Sequence, residues 1–248
     1  MKIILSGIKG AMGQNVIRCA SGKAEIVGGV DTVADGTEVI PTVTSFQDST
    51  TDADVIIDFS HHSATKNLLD FAVKSGLPVV LATTGQTPEE LDMIKNASSR
   101  IPIFFAANYS VGVATLIKVA KLTAAALPDA QIEIVETHHN RKIDAPSGTA
   151  LAIANALTQV RPDSNIVCGR SGYGKREPND IGINSVRIGN IVGIHEVIIG
   201  TNTQTITLKH EAHDRAVFAD GAIDAAKFII GKPAGLYDMD SLLGQEDI

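Results

Sequence analysis

Short apolar runs alternate with segments of helical periodicity over the first part of the chain. The runs are rich in β-branched and other apolar residues and are predicted to be strands at Ile3–Ser6, Ile26–Val30, Asp54–Phe59, Pro78–Ala82 and Pro102–Ala106. Apolar residues recur at helical spacing within 13–20, 63–74 and 88–97. This alternation predicts an α/β domain with a doubly wound parallel sheet over about the first 109 residues.

The alternation of short strands and helices ends after Tyr109. A long apolar helix, Val111–Leu127, is ended by Pro128, and Gln131–Glu136 then alternates apolar with polar residues. Further strands are predicted at Asn184–Ile191, His195–Gly200 and Thr205–His210, with a hairpin turn between the last two. Few helical residues separate these strands, so a second, α+β domain with a mostly antiparallel or mixed sheet is expected.

Two further segments have a distinct character. Arg161–Asn179 is polar, with several glycines, prolines and charges, and is predicted to be a mobile loop. Phe218–Ile230 is predicted to be a helix ended by Gly231, and the tail from Gly235 is too short to fold alone. The tail is therefore expected to pack on an already formed domain.

Composition narrows the class of protein. Of the 248 residues, 44% are hydrophobic and 20% are charged, which is typical of globular proteins with a sizeable core. The 21 Lys and Arg against 28 Asp and Glu give a net charge of -7, the wrong sign for binding nucleic acid or an anionic membrane. Cys19 and Cys168 cannot form a disulfide framework, and no apolar run is long enough for a signal peptide or a membrane span. We therefore expect a cytoplasmic protein.

A glycine-rich turn offers a place for a pyrophosphate. Gly7–Gly13 has the spacing G-x-x-G-x-x-G between the first predicted strand and a helix. Asp31 ends the next strand, where an acid can bind a ribose diol and repel a 2′-phosphate, and Lys9 could attract a phosphate. A mere tight turn and exposed, solvated side chains at positions 9 and 31 are the alternatives.

Two loops follow other predicted strands at the same edge of the sheet. They are Ala82–Gly85 and Ala106–Tyr109, whose small and hydroxylated residues allow close approach of a flat ring, while Asn108 offers an amide. Taken separately, the composition of either loop is also that of an ordinary turn. Because ligands of open α/β sheets bind beyond the carboxyl ends of the strands, both loops together with the glycine turn favour one nucleotide site.

The densest chemistry lies in Glu136–Ala150. Four of the five residues from His138 to Lys142 can be cationic, which favours an anionic ligand in this acidic chain. Ser147 is a natural N-cap for the predicted helix Ala150–Leu157, and Gly148 and Thr149 then present backbone N–H groups to a carboxylate.

Histidine is suited to proton transfer near neutral pH, and lysine supplies a positive charge or a second proton donor. A solvated cationic loop is the alternative. Zinc is disfavoured because adjacent histidines point to opposite faces and His210-x-x-His213 lacks a cysteine partner, which leaves the candidates His138, His139, His195, His210 and His213 without a ligand set. Arg187 and Arg215 are expected to be surface or ion-pair groups unless the fold turns them inward.

The segment from Glu136 to Ala150 resembles the signature E-x-H-H-x-x-K-x-D-A-P-S-G-T-A of the bacterial dihydrodipicolinate reductase family. The resemblance covers nearly the whole chain. Supporting matches are Asp58-Phe59-Ser60, Thr83-Thr84-Gly85, Asn108–Val113 and the ending Gly235–Met239.

The resemblance implies an NAD(P)H-dependent reductase of diaminopimelate and lysine biosynthesis, which reduces 4-hydroxy-tetrahydrodipicolinate, via dihydrodipicolinate, to tetrahydrodipicolinate. It implies a Rossmann-type dinucleotide-binding domain, 1–109 completed by 218–248, and a substrate-binding domain, 110–217, that builds a homotetramer. The dicarboxylate substrate is its expected small-molecule partner, and no metal is expected.

By matching positions, His138 resembles the catalytic acid/base and Lys142 the proton donor. The substrate-binding positions are His139, Ser147, Gly148 and Thr149. The cofactor-binding positions are Gly7, Ile8, Lys9, Gly10, Ala11, Met12, Asp31, Ala82, Thr83, Thr84, Ala106, Ala107, Asn108 and Tyr109.

The chain also departs from the family pattern. Many members carry arginine at the position of Ala11, and its loss together with Asp31 favours NADH over NADPH, although Lys9 could compensate. Two other functions stay open. Another Rossmann-type dehydrogenase is one, although a semialdehyde dehydrogenase would need a nucleophile that Cys168 is poorly placed to supply. A non-catalytic NAD(H)-binding sensor is the other, and His138 and Lys142 argue against it.

Overall fold

The computed structural model describes residues 1–34, 36–37, 39–50 and 52–244, and the chain divides into two units. Among the described residues, the first unit comprises Met1–Val111 and 215–244, and the second comprises Gly112–Asp214. Residues 245–248, which end the segment predicted to complete the first domain, lie outside the described residues.

The first unit is built on a seven-stranded sheet in the order β12-β6-β5-β4-β1-β2-β3. Neighbouring strands in it are parallel throughout the described residues. The strands are β1 Lys2–Ser6, β2 Glu25–Val30, β3 Thr42–Val43, β4 Val55–Asp58, β5 Val79–Leu81, β6 Pro102–Phe105 and β12 Gly235–Tyr237. The predicted doubly wound parallel sheet is confirmed.

Helices accompany these strands in the first unit. They are α1 Ala11–Ala20, α2 Thr65–Ser75, α3 Pro88–Ser98, α6 Ala216–Ile229 and α7 Met239–Leu243, with short 3₁₀ turns at Phe46–Asp48 and His62–Ala64. Local chemistry sets their ends: Thr87 and Glu90 form a capping box at the start of α3, and Gly76 ends α2 in the left-handed conformation. Buried aliphatic residues of α2, α3 and the central strands form one core cluster.

The strand order reverses at β1. Its neighbours are β2 on one side and β4 on the other, so the loops after β1 and β4 leave the sheet at adjacent positions. In open α/β sheets this switch point is where a ligand crevice forms. The glycine turn that follows β1 therefore lies at the expected place for a nucleotide.

The second unit contains a five-stranded sheet in the order β11-β10-β7-β9-β8. Its strands are β7 Gln131–His138, β8 Asn165–Cys168, β9 Asp180–Arg187, β10 Gly193–Gly200 and β11 Thr205–Ala212, and its helices are α4 Val111–Ala126 and α5 Gly148–Val160. β10 pairs antiparallel with β7 and β11, whereas β7 and β8 pair parallel with β9. The sheet is mixed, in agreement with the prediction.

Strand parity places the core of this unit on one face of the sheet. Ile132 and Ile134 of β7 are buried with residues of α4, α5, β9 and β10. Because side chains alternate between the two faces of a strand, the next residues on the buried side of β7 are Glu136 and His138. The apolar core therefore passes directly into a polar cluster along one strand.

Two sequence predictions are wrong in this unit. The segment 161–179 is not a loop throughout, because β8 pairs Asn165–Cys168 with β9, and its central residues Ile166 and Val167 are too short an apolar run to predict a strand. The strand predicted at Asn184–Ile191 lies four residues earlier, at Asp180–Arg187, because Ile181 and Ile183 fill the core and Gly189 turns the chain at φ 56. No helix in the described part of the chain is long and apolar enough to cross a bilayer.

Gly221 of α6 tests the packing of the first unit. A Cβ atom there would lie 1.7 Å from the backbone oxygen of Tyr109, so Gly221→Ala must push the helix away. We expect a loss of about 3 kcal/mol or more in the free energy of unfolding, measured by urea denaturation. Asp224→Ala, at an exposed position of the same helix, should change it by less than about 0.5 kcal/mol. Equal midpoints for the two variants would contradict this packing.

Candidate active site

The glycine turn after β1 is packed too closely to accept side chains. Gly7 has φ 74, and a Cβ atom on it would lie 2.5 Å from the backbone oxygen of Phe59, in the loop after β4. A Cβ atom on Gly13 would lie 2.2 Å from the backbone oxygen of Gly7. Both glycines are therefore required by the backbone itself, and the turn brings the start of α1 against the switch point.

The start of α1 presents backbone donors. Its N-cap is Gly10, which contributes no side-chain cap, so the first N–H groups of the helix are available to an anion. The Lys9 N–H donates to Asp31 Oδ2 at 2.8 Å, and the Thr32 N–H donates to Asp31 Oδ1 at 2.8 Å. The carboxylate at the end of β2 is thus held beside the glycine turn.

A buried carboxylate organises the loops after β4 and β5. Asp58 is 2% exposed and accepts hydrogen bonds from the Thr83 and Ser60 hydroxyls, each at 2.6 Å. Thr83 is buried, while Thr84 and Ala107 are exposed. These contacts fix the hydroxylated loop at the carboxyl edge of the sheet.

Two predicted cofactor positions face the interior of the first unit. The Tyr109 hydroxyl donates to the backbone oxygens of Leu81 and Phe104 at 2.8 and 3.1 Å, and burial raises the pKa of this phenol well above its usual value. Ile8 is 4% exposed, with its side chain against Gly29. Contacts of these two residues with a ligand would have to use their backbone atoms.

The predicted nucleotide residues are thus gathered at one edge of one sheet, around a glycine turn, an open helix start and a fixed carboxylate. Backbone N–H groups suit a pyrophosphate, and the Asp31 oxygens suit a ribose diol. The residues present in this chain fit a dinucleotide.

In the second unit, the centre of the polar cluster is the side chain of Glu136, which is fully buried. Its Oε2 atom lies 2.5 Å from His138 Nδ1 and accepts from Arg187 Nη1 at 2.8 Å. Its Oε1 atom accepts from Arg187 Nη2 at 2.7 Å and from the Ser147 N–H at 3.1 Å. The register of the sheet produces this cluster, because His138 of β7 is paired with Arg187 of β9.

The cluster extends to β10 and to the start of α5. The Ser147 hydroxyl lies 3.1 Å from His195 Nε2 and also accepts from the Ala150 N–H, which confirms the predicted N-cap. His195 pairs in register with Glu136, and its ring contacts the His138 ring edge to face, with centroids 5.2 Å apart. The helix start, the two rings and the carboxylate therefore form one hydrogen-bonded unit.

The loop between β7 and α5 is tied to the same arginine. Arg187 Nη2 donates to the backbone oxygen of Asp144 at 2.7 Å, and the Asp144 carboxylate pairs with Lys142 Nζ at 2.8 Å. The His139 N–H donates to the backbone oxygen of Ile191. Gly148 is exposed and Thr149 is half-buried at the first turn of α5. The structure thus brings His138, Lys142 and Ser147 into one network.

The charges of this network follow from its contacts. Burial opposes ionisation of Glu136, but hydrogen bonds from Arg187, Ser185 and His138 outweigh it and lower its pKa to about 2. Desolvation, with repulsion from His138, lowers the pKa of His195 to about 4. At neutral pH Glu136 is therefore an anion and His195 is uncharged.

Sequence reasoning assigned no role to Glu136 and treated His195 only as a metal candidate. The sequence does contain a signal that Glu136 is buried, because it lies at an even spacing from Ile132 and Ile134 and therefore on the same face of β7. Arg187 is turned inward, whereas its apolar neighbours Val186 and Ile188, which the alternation in the sequence would bury, are exposed. Among the described residues, no three His, Cys, Asp or Glu side chains converge as a metal site.

Known families match the two parts of the chain. The family described as dihydrodipicolinate reductase, N-terminus, matches residues 1–109, and the family described as dihydrodipicolinate reductase, C-terminus, matches residues 112–243. The chain belongs to the dihydrodipicolinate reductase family.

Relatives over the full length agree with this membership in the dihydrodipicolinate reductase family. The chain is 45% identical to the 4-hydroxy-tetrahydrodipicolinate reductase of Caldanaerobacter subterraneus subsp. tengcongensis over 247 residues, 98% of either chain. It is 40% identical to that of Clostridium tetani, over 98% of this chain and 97% of the relative. A dipicolinate-bound dihydrodipicolinate reductase from Paenisporosarcina sp. TG-14 has the same fold, with a TM-score of 0.83, 23% identity, and coverage of 96% of this chain and 97% of that one.

The depressed pKa of His195 predicts an acid-sensitive fold. The folded state disfavours the proton that an unfolded histidine binds below about pH 6.5, so this contribution to stability is complete above pH 6.5 and is lost as the pH falls through about 4. His195→Gln should remove the contribution. We expect the difference in unfolding free energy between wild type and variant to fall by about 1 kcal/mol per pH unit between pH 6 and 4.

Urea denaturation at several pH values checks this expectation. His213→Gln, the same change at an exposed histidine of the same unit, is the matched control and should leave the pH dependence unaltered. Parallel stability profiles for wild type and His195→Gln would contradict the assignment of an uncharged, buried imidazole.

Proposed function

We propose that this protein reduces 4-hydroxy-tetrahydrodipicolinate, via dihydrodipicolinate, to tetrahydrodipicolinate in diaminopimelate and lysine biosynthesis. The proposal rests on one observation: the Glu136 carboxylate contacts both the His138 ring and the Ser147 N–H, and these three residues lie within the family signature. Besides a hydride donor, reduction of a cyclic dicarboxylate requires a proton-transferring group and a site for the carboxylates, and the imidazole and the helix start can supply these two.

The cofactor is a nicotinamide nucleotide, and its reduced ring supplies a hydride when it is bound. The first unit is the proposed dinucleotide-binding domain. Its backbone N–H groups at the start of α1 would hold the pyrophosphate, and Asp31 would accept hydrogen bonds from the adenosine ribose. The loops at Ala82–Thr84 and Ala106–Tyr109 would bind the nicotinamide half.

The second unit is the proposed substrate-binding domain. The N–H groups of Gly148 and Thr149 at the start of α5, with His139, would hold the substrate carboxylates. His138 would act as acid/base at its Nε2 atom, because its Nδ1 atom is occupied by Glu136. Lys142 would supply a second proton or a positive charge once its ammonium exchanges Asp144 for the substrate.

We further propose a homotetramer assembled through the second unit and a cytoplasmic location. The face of the mixed sheet opposite the core carries Val135, Ile194 and Ile198, all half-buried, among charged side chains, and such a face suits contact with another copy. The two free cysteines, one half-buried and one exposed, suit a reducing compartment.

An assay with freshly generated pathway intermediate tests the function. The wild type should oxidise NADH or NADPH only when the intermediate is present. His138→Gln should lower kcat by about 10²-fold to 10⁴-fold, because the acid/base is lost, while NADH affinity by fluorescence titration stays within about twofold.

The control is His213→Gln, which should keep wild-type turnover. Absence of intermediate-dependent oxidation by the wild type would refute the reductase. Unchanged turnover of His138→Gln would refute the role of that histidine and leave the reductase in place.

Asp31 is expected to set the preference between the two nucleotides. Its carboxylate favours a ribose diol and repels a 2′-phosphate, so kcat/KM should be higher with NADH than with NADPH. Asp31→Ser should lower this ratio by about tenfold, which corresponds to about 1.4 kcal/mol. Asp52→Ser, at a strongly exposed aspartate that pairs with Lys2, should leave the ratio unchanged. Steady-state kinetics with both nucleotides provide the ratio, and the same ratio in Asp31→Ser and wild type would contradict the assignment.

A further inference from the structure

Glu136 joins the two halves of the proposed substrate site. One carboxylate oxygen contacts the ring of His138, and the other accepts the backbone N–H of Ser147, the N-cap of α5. A single buried side chain thus contacts both the proton-transferring residue and the start of the anion-binding helix.

We propose that Glu136 is a positioning residue that holds His138 with its proton on Nδ1, so that Nε2 is the atom that gains and loses a proton, and that it also fixes the start of α5. This inference rests on the proposed function for its kinetic consequences. Its structural core, the tautomer of His138, is independent of the reaction.

The donors and acceptors at the contact between Glu136 and His138 determine this tautomer. An ionised carboxylate can only accept, so at 2.5 Å the proton of the contact resides on His138 Nδ1. A neutral ring then has an unprotonated Nε2, and a charged ring has one extra proton there. Nε2 lies on the side of Gly193, where an added Cβ atom would be 3.1 Å away, so the absent side chain leaves room at this nitrogen.

Arg187 keeps the carboxylate in the required form. Its two terminal nitrogens donate to the two oxygens of Glu136 at 2.7 and 2.8 Å, which compensates a charge that burial would otherwise neutralise. If Glu136 held its own proton, it could donate to His138 Nδ1 and reverse the tautomer. The ion pair is therefore part of the positioning device.

The same strand offers a matched control. Glu133 also lies on β7 and pairs with an arginine, with 3.1 Å between Arg176 Nε and Glu133 Oε1. It lies three positions before Glu136, so it is on the opposite face of the sheet, away from the His138 side chain. Glu133→Gln removes the same charge from the same strand without touching the histidine contact.

The experiment combines kinetics with ¹⁵N-histidine NMR on the full-length protein. Wild type should show His138, identified by the signal missing in His138→Gln, with Nδ1 protonated and Nε2 unprotonated in its neutral form. In Glu136→Gln the amide N–H₂ donates to Nδ1, so the proton should move to Nε2. Reversal of a tautomer costs about 10⁴ in kcat in a Ser-His-Asp triad, and we expect a loss of at least about 10² here.

The split between kinetic constants separates positioning from general damage. In Glu136→Gln the amide oxygen of the new side chain can still accept from the Ser147 N–H, so KM for the substrate should stay within about threefold of wild type. Glu136→Asp keeps the charge but shortens the reach to His138, so it should also lower kcat. Glu133→Gln should retain the kcat and the histidine signals of wild type.

Several results would overturn the proposal. One is a neutral wild-type His138 protonated on Nε2, which needs no variant and decides the question even if Glu136→Gln does not fold. Another is a folded Glu136→Gln with kcat within about threefold of wild type, and a third is an equal loss in Glu133→Gln. If wild type lacks reductase activity but shows the expected tautomer, the proposed function fails while the positioning of His138 stands.

Discussion

The ion pair between Glu136 and Arg187 joins the strands, the loop and the helix start that surround the candidate site of the second unit. Removing one partner of a buried pair costs about 3–5 kcal/mol because the other charge is left uncompensated. The pair therefore constrains every segment it contacts: β7 and β9 through their register, the 139–147 loop through the Asp144 backbone oxygen, and α5 through Ser147. The position of His138 is a consequence of the same constraint.

Core and site share one face of the same strand. The alternation of β7 buries Ile132 and Ile134 toward α4 and α5, and continues without a break to Glu136 and His138. Packing of Ile132 and Ile134 in the core holds the strand in place, so the backbone that carries Glu136 and His138 is held in place as well. A site built in this way needs little rearrangement to hold its charged groups, which is an advantage when a transition state has to be matched.

The candidate site of the first unit is built from different groups than the cluster in the second unit. The edge of its sheet around the glycine turn is made of backbone and small side chains, because Gly7, Gly13 and the loop after β4 approach too closely for anything larger. The charges at this edge are the partial positive charge of the helix start and the carboxylate of Asp31, which accepts a hydrogen bond from the Lys9 N–H. Asp31 is the carboxylate beside the glycine turn, whereas the charged groups of the cluster in the second unit come from several strands.

The sequence by itself determined the fold class, most elements and the chemistry-bearing segments, because hydrophobic periodicity, glycine spacing and the Ser147 N-cap are local properties of the chain. It did not place β8 or the true start of β9, whose short apolar pairs become strands only beside their neighbours. Only the tertiary structure decided that Arg187 of β9 and His195 of β10 meet Glu136, and that the Tyr109 side chain faces inward. Strand register and burial depend on residues far apart in the sequence, and no local pattern encodes which buried charge will compensate another.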